Sequence, residues 1–186
     1  MLEKEVKILL TEKEYLILKE AFRFSAEIMQ RNNYYRSEQC AEKRISVRVR
    51  EAAGKCLLQV KKPVGDRGSL AVREELEREI SGVPQVIPSE LLKELCGVED
   101  DAVFIGSLTT RRLLCYDHEN VELALDRSEY LGCVDHELEA EYTGDYPAKL
   151  MERIAALGID ISRPAAGKYS RFCRRLAEAA DNGPTS

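Results

Sequence analysis

Met1-Leu2-Glu3-Lys4-Glu5-Val6-Lys7, running on into Ile8-Leu9-Leu10, is the stretch that decides the fold. Glu3, Glu5 and Lys7 stand at i, i+2 and i+4, while Val6, Ile8 and Leu10 take alternate positions. A strand turns successive side chains to opposite faces, so this period predicts a strand over 2–10 with one charged and one apolar face. One such strand is ordinary in a sheet wetted on one side. Here the pattern recurs. Arg48 and Arg50 sit between Val47 and Val49, and Gln59 and Lys61 alternate with Leu58 and Val60. Glu75 and Glu77 flank Leu76, and Glu137, Glu139 and Glu141 alternate with Leu138 and Ala140. Asp126 lies opposite Leu123 and Leu125 in parity, and Arg112 opposite Arg111 and Leu113.

The bulk composition sets the class. With 186 residues, 44% hydrophobic and 33% charged, the chain reads as one soluble domain over 1–180 with a frayed tail at 181–186. No apolar run has the length of a membrane span. Acidic Glu3 and Glu5 stand where a signal peptide needs bases, which makes the cytoplasm the expected location and leaves no role for a membrane. A net charge of −5 argues against nucleic acid as a partner. The six cysteines form no C-x-x-C pair and His118 and His136 stand far apart, so free thiols are expected rather than disulfides or a zinc site. Hard cations prefer oxygen, which leaves a carboxylate-held metal open.

Along the chain, Thr11 with Glu14 three residues on predicts a capping box and a helix from Glu12 to Phe24, its stripe Tyr15, Leu18 and Phe22 turned to the core. A strand is expected around 33–36. Strands at 45–51 and 56–62 form a hairpin about Ala52-Ala53-Gly54-Lys55. Residues 63–69 read as a loop by composition. Strands follow at 71–80, 103–116 with a break, 121–126 and 136–142. Helices are expected at 90–96 ending on Gly97, at 148–157 ending on Gly158, and at 169–180. Strands outnumber helices and the two intersperse: α+β.

Two readings of the charged faces compete. In the first they are the wetted side of a sheet. In the second they line a closed barrel whose exterior the helices cover, and buried charges there must balance. The acids Glu3, Glu5, Glu75, Glu77, Asp126, Glu137 and Glu139 nearly match the bases Lys7, Arg48, Arg50, Lys61, Arg73 and Arg112. Guanidinium forks and ammonium groups suit a chain of phosphates. Clustered carboxylates suit Mg²⁺ or Mn²⁺ bridging phosphate oxygens.

Taken in order, Glu3-Lys4-Glu5-Val6-Lys7, Val47-Arg48-Val49-Arg50, Leu57-Leu58-Gln59-Val60-Lys61, Arg73-Glu74-Glu75-Leu76-Glu77, Thr110-Arg111-Arg112, Leu125-Asp126, Glu137-Leu138-Glu139 and Gly167-Lys168-Tyr169-Ser170-Arg171-Phe172 resemble the CYTH family, the triphosphate tunnel metalloenzymes. The E-x-E-x-K opening is weak by itself; the ordered set over nearly the whole chain is specific. The resemblance implies an eight-stranded antiparallel β-barrel tunnel with a polar, charged lumen, surrounded by helices. It implies that Lys7, Arg48, Arg50, Lys61, Arg112 and Lys168 hold a triphosphate, with Lys7 and Lys168 catalytic. By the same resemblance Glu3, Glu5, Asp126, Glu137 and Glu139 hold Mg²⁺ or Mn²⁺, and Glu75 and Glu77 are further tunnel acids, while Glu141 stays ambiguous. Many relatives carry an acid where this chain has Arg36, which reads as a phosphate contact near a tunnel mouth or, the favoured reading, as solvent-facing.

The expected activity is metal-dependent hydrolysis of a phosphoanhydride, with a small-molecule triphosphate as partner. The family also contains thiamine triphosphatases and class IV adenylate cyclases, whose substrates need an apolar or aromatic platform. With no Trp and 6% aromatics, and Tyr34, Tyr35 and Tyr130 as the candidates, inorganic triphosphate is favoured. A thiamine or nucleoside triphosphate, a cyclase reaction, and a non-catalytic module binding polyphosphate or nucleotide are the alternatives, along with a plain interaction protein using a charged face.

Overall fold

The computed structural model describes residues 4–67, 70–163 and 165–181, with the backbone alone for 64–67 and 70–73. Among these residues nine strands and five helices run in the order β1 (Lys4–Leu10), α1 (Glu12–Ala21), β2 (Ala26–Arg36), α2 (Glu38–Glu42), β3 (Ser46–Ala52), β4 (Lys55–Arg67), β5 (Leu70–Ile80), β6 (Val86–Ile87), α3 (Ser89–Cys96), β7 (Ala102–His118), β8 (Val121–Tyr130), β9 (Cys133–Tyr142), α4 (Ala148–Ala156) and α5 (Lys168–Asp181). The α+β class and the antiparallel sheet stand as expected. The hydrogen-bonded ladder is not closed: among the described residues β1 and β5 are its two ends, and the short β6 pairs with β7 alone. The chain divides into two compact units, residues 1–29 with 109–186, and residues 30–108. The expected frayed tail falls, but for Asp181, outside the described residues.

In the first unit the strand order is β1-β9-β8-β7. Its apolar face is the one read from parity. Ile8 and Leu10 of β1, Leu138 and Ala140 of β9, Leu123 and Leu125 of β8, and Leu113 of β7 are buried together. Helices α1 and α4 cover them, through Tyr15, Leu18, Leu150, Met151 and Ile154. Helix α1 starts where the capping box places it: Glu14 N–H donates to Thr11 Oγ1 at 3.2 Å, and Thr11 N–H donates back to Glu14 Oε2 at 2.6 Å. It ends at Ala21, three residues earlier than expected, because Phe22 turns to extended backbone while its N–H still reaches Leu18. Both histidines serve packing, His136 against the Tyr15 ring and His118 against Phe22.

The second unit orders its strands β2-β3-β4-β5. Tyr35, Val47, Val49, Leu58 and Val60 form one apolar face, covered by Cys40 of α2, Leu92 of α3 and Ile87 of β6. The turn between β3 and β4 has positive φ at both Ala53 and Gly54, the form that matches strand twist. Helix α3 stops on left-handed Gly97, as its sequence predicts.

Beyond the end of α1, β2 starts at Ala26 rather than near residue 33, and further elements differ from expectation. Residues 63–67 continue β4, across a register shift between Pro63 and Asp66, because pairing with β5 overrides loop composition. Strand β7 runs unbroken through Gly106. Strands β8 and β9 extend to a two-residue turn at Leu131-Gly132, where leucine gives no turn signal. Helix α2, capped by Ser37 Oγ accepting from Cys40 N–H, is too short to show a period.

Arg163 donates to both oxygens of Glu14 and to the Leu9 carbonyl. The Arg163 hydrogen bonds first, then the hydrogen bonds from Thr11, bring the Glu14 carboxyl down from 4.5 to about 2, outweighing the burial that works against them. A carboxylate depressed on folding adds stability that is complete above its unfolded value and is lost as pH falls toward its folded value. Thermal melts should therefore show wild type above Glu14→Gln at neutral pH, with the gap closing as pH falls from about 4.5 to about 2.

Candidate functional site

Opposite the helix-covered face of the first unit, strand register stacks acids and bases in rows. Arg112 pairs with Asp126 and Asp126 with Glu137 across β7, β8 and β9. One row on, Lys7 of β1 pairs with Glu139 of β9, and Ala124 of β8 stands on the other side of Glu139. Asp126, Glu137 and Glu139 are 0, 1 and 5% exposed. Their carboxylate oxygens lie within 4.8 Å of one another, as do those of Glu5, Glu139 and Glu141.

Four cations answer this acid cluster. Arg112 grips Asp126 with a two-pronged fork at 2.8 and 2.7 Å and also bonds Glu139. Lys168, the first residue of α5, places Nζ 2.8, 2.5 and 2.6 Å from Asp126, Glu137 and Glu139. Lys7 reaches Glu5 at 2.9 Å and Glu139 at 3.3 Å. Arg171, one turn into α5, holds Glu137 Oε2 at 2.6 Å and Asp135 at 2.8 Å. Asp135 also accepts the Tyr130 hydroxyl, and the Tyr130 ring packs on Phe172.

Burial and the hydrogen bond with Glu139 push Glu137 up to about 7. Burial pushes Glu139 the same way, but Lys168, the Glu137 hydrogen bond, Arg112 and Lys7 hold it well below the usual carboxylate range. Burial and the Glu139 charge raise Glu141. Lys7, Arg112 and Lys168 are all raised: burial alone would lower each, and the surrounding carboxylates outweigh it. Removing one partner from such a buried set typically costs about 3–5 kcal/mol, because the other is left uncompensated. The donors are carboxylate oxygens without sulfur or imidazole, which fits a hard divalent cation.

The second unit carries its own charged face. Arg48 donates to Gln59 at 2.8 Å and approaches Glu75 at 3.5 Å, and Lys61 meets Glu75 at 2.8 Å. Gln59 donates onward to Glu77 at 2.7 Å, and Arg50 donates to Asn32 at 3.1 Å. Burial works to raise Glu75, but the Lys61 hydrogen bond and the Lys61, Arg48 and Arg50 charges bring it below its usual value.

Of the residues singled out from sequence, Lys7, Arg112, Asp126, Glu137, Glu139 and Lys168 come together in the first unit, with Glu5 at the edge. Arg48, Lys61, Glu75 and Glu77 come together in the second, with Arg50 on the same strand as Arg48. Glu3 lies outside the described residues, as does the Arg73 side chain. Arg36 is exposed, as expected. Sequence reasoning gave no role to Arg171, although it belongs to a recognised segment; its signal is an arginine beside Phe172, on the side of α5 that becomes buried. Gln59, Asn32 and Asp135 were missed as well, being neutral or hidden links between charged partners.

No curated protein sequence matches the chain. Among solved structures, a protein assigned as an adenylate cyclase from Bacillus halodurans shares the fold with a TM-score of 0.69 at 24% identity, covering 92% of this chain and 99% of that one. HpAC1 from Hippeastrum, an assigned adenylyl cyclase with dominant triphosphatase activity, gives 0.72 at 21%, covering 93% and 96%. The PH1819 protein of Pyrococcus horikoshii gives 0.58 at 21%, covering 86% and 92%. Residues 1–149 match the CYTH domain model, and with four fifths of its length matched, the chain belongs to the CYTH family.

Proposed function

We propose that the protein is a divalent-metal-dependent triphosphatase acting on inorganic triphosphate. The observation that carries this reading is the buried trio Asp126, Glu137 and Glu139, packed within 4.8 Å and ringed by Arg112, Lys7 and Lys168. Membership of the CYTH family supports a triphosphate-acting enzyme.

A Mg²⁺ or Mn²⁺ ion held by Asp126, Glu137 and Glu139, with Glu5 and Glu3 as further ligands, would offset charge on the phosphoryl oxygens. Arg112 contributes a rigid fork suited to two phosphate oxygens, and Lys7 a compact positive charge beside Glu139. Lys168 brings a third cation from a different element, the start of α5. By family analogy Arg48, Arg50 and Lys61 are phosphate contacts; Glu75 pairs with Arg48 and Lys61, and Glu77 accepts from Gln59, which accepts from Arg48. Phosphoryl transfer asks mainly for such positioning and charge compensation, so neither glutamate of the Glu137–Glu139 pair is required as a general base.

Inorganic triphosphate is favoured over a nucleotide or thiamine ester because the tyrosines considered as stacking platforms are taken up by packing. Tyr34 and Tyr35 are 1 and 0% exposed, and Tyr35 donates to the Pro84 carbonyl. Tyr130 is held between Asp135 and Phe172.

Phosphate release from a panel of inorganic, nucleoside and thiamine triphosphates, with Mg²⁺, Mn²⁺ or chelator, tests the reading. Inorganic triphosphate should turn over fastest, and chelator should abolish turnover; faster release from a nucleoside or thiamine ester would reassign the substrate. Glu139→Gln should lower kcat by on the order of a hundredfold while the protein stays folded by circular dichroism. Arg112→Met should lower kcat/KM by a comparable factor, with part of the loss in KM if the fork also binds ground-state phosphate.

A further inference from the structure

The Lys168 ammonium donates to Glu137 Oε1 at 2.5 Å and Glu139 Oε1 at 2.6 Å and forms an ion pair with Asp126 Oδ2 at 2.8 Å, so it engages one oxygen of each of three carboxylates. These are the same three groups whose oxygens converge tightly enough to hold a metal. A hard cation bound at ordinary oxygen distances would take the same lone pairs and would lie against a like charge. Lys168 in this position and a divalent ion in the trio therefore exclude each other.

Helix α5 does not depend on that contact. Arg171 is tied to Asp135 at 2.8 Å and to Glu137 Oε2 at 2.6 Å, and Phe172 is fully buried against Tyr130. The Arg171 N–H also donates to the Gly167 carbonyl at 3.1 Å, closing the first turn. A four-carbon lysine stem can swing while the helix stays in place. Once displaced, the ammonium needs another anion, and a phosphate oxygen supplies one.

We propose that Lys168 is a resident counter-ion which a divalent metal must displace and which the triphosphate then receives, so that metal and triphosphate bind with positive coupling through one side chain. This rests on the reading of Asp126, Glu137 and Glu139 as metal ligands. By linkage the coupling is reciprocal, each ligand tightening the other.

Calorimetric titration of Mn²⁺ alone at pH 8, into wild type, Lys168→Met and Glu139→Gln, tests it without turnover. Lys168→Met should bind Mn²⁺ about tenfold more tightly than wild type, within the usual range of coupling. With chelator present, it should bind a hydrolysis-resistant imido triphosphate more weakly. A folded Lys168→Met with unchanged or weaker Mn²⁺ affinity, beside a Glu139→Gln that loses binding, overturns the coupling and leaves the metal site intact. Absence of Mn²⁺ binding in both wild type and Lys168→Met, or equal binding in wild type and Glu139→Gln, removes the metal site and the coupling with it. Should Lys168→Met fail to fold, acetylation of Lys168 in wild type, followed by mass spectrometry, decides the matter. Its rate should rise severalfold when Mn²⁺ is added, and an unchanged rate overturns the proposal.

Discussion

Holding three carboxylates out of water on one side of a sheet is the constraint to which the rest of the first unit answers. Burial alone would protonate them or unfold the sheet. The chain counters with Arg112 from β7, Lys7 from β1, and Lys168 and Arg171 from α5. Arg112 meets Asp126 across the β7–β8 hairpin, whereas Lys7 reaches Glu139, and Lys168 and Arg171 reach Glu137, from remote parts of the sequence. The cluster therefore ties the first strand, the central hairpin and the last helix into one electrostatic unit, while α1 and α4 supply apolar cover on the opposite face.

Compensation of this kind is not the same as satisfaction. Burial and its neighbour Glu139 push Glu137 up while Lys168 and Arg171 pull it down, and the upward push wins. Burial together with a specific charged neighbour is the environment that shifts carboxyls in this way, whether in a structural ion-pair network or in a reactive site. The apolar face of the same strands shows no such tension: Ile8, Leu125 and Leu138 are buried and need no partners beyond one another.

The sheet faces were legible from residues alone, because period two separates Ile8 and Leu10 from Glu5 and Lys7 without any tertiary knowledge. The same holds for Glu137 and Glu139 against Leu138, and for the Thr11–Glu14 cap. The balance of a wetted face against a buried one was not legible, since both carry mixed charge; exposure settled it for Asp126, Glu137 and Glu139, which are buried, while Glu75 and Glu77 stay exposed. The extension of β4 through Pro63 was hidden because pairing with a distant strand, not local propensity, maintains it. Arg171 was hidden for a related reason: an arginine in a charged helix looks solvated until the acids it meets are brought to it from β9.

Asp126, Glu137 and Glu139 all belong to a single hairpin, closed by Leu131-Gly132, and this governs its assembly as much as its chemistry. A slip of either strand by one residue would exchange its two faces, driving Glu137 and Glu139, or Asp126, toward the space under α1 and α4 and exposing leucines in return. Each ion misplaced there would carry a desolvation penalty of roughly several kcal/mol. The positive φ of Leu131 adds a backbone cost of about 1–3 kcal/mol, tolerated because the correct pairing over-determines it. The acids that would do the chemistry thus also act as proofreaders of their own hairpin, making the misaligned alternatives the most heavily penalised.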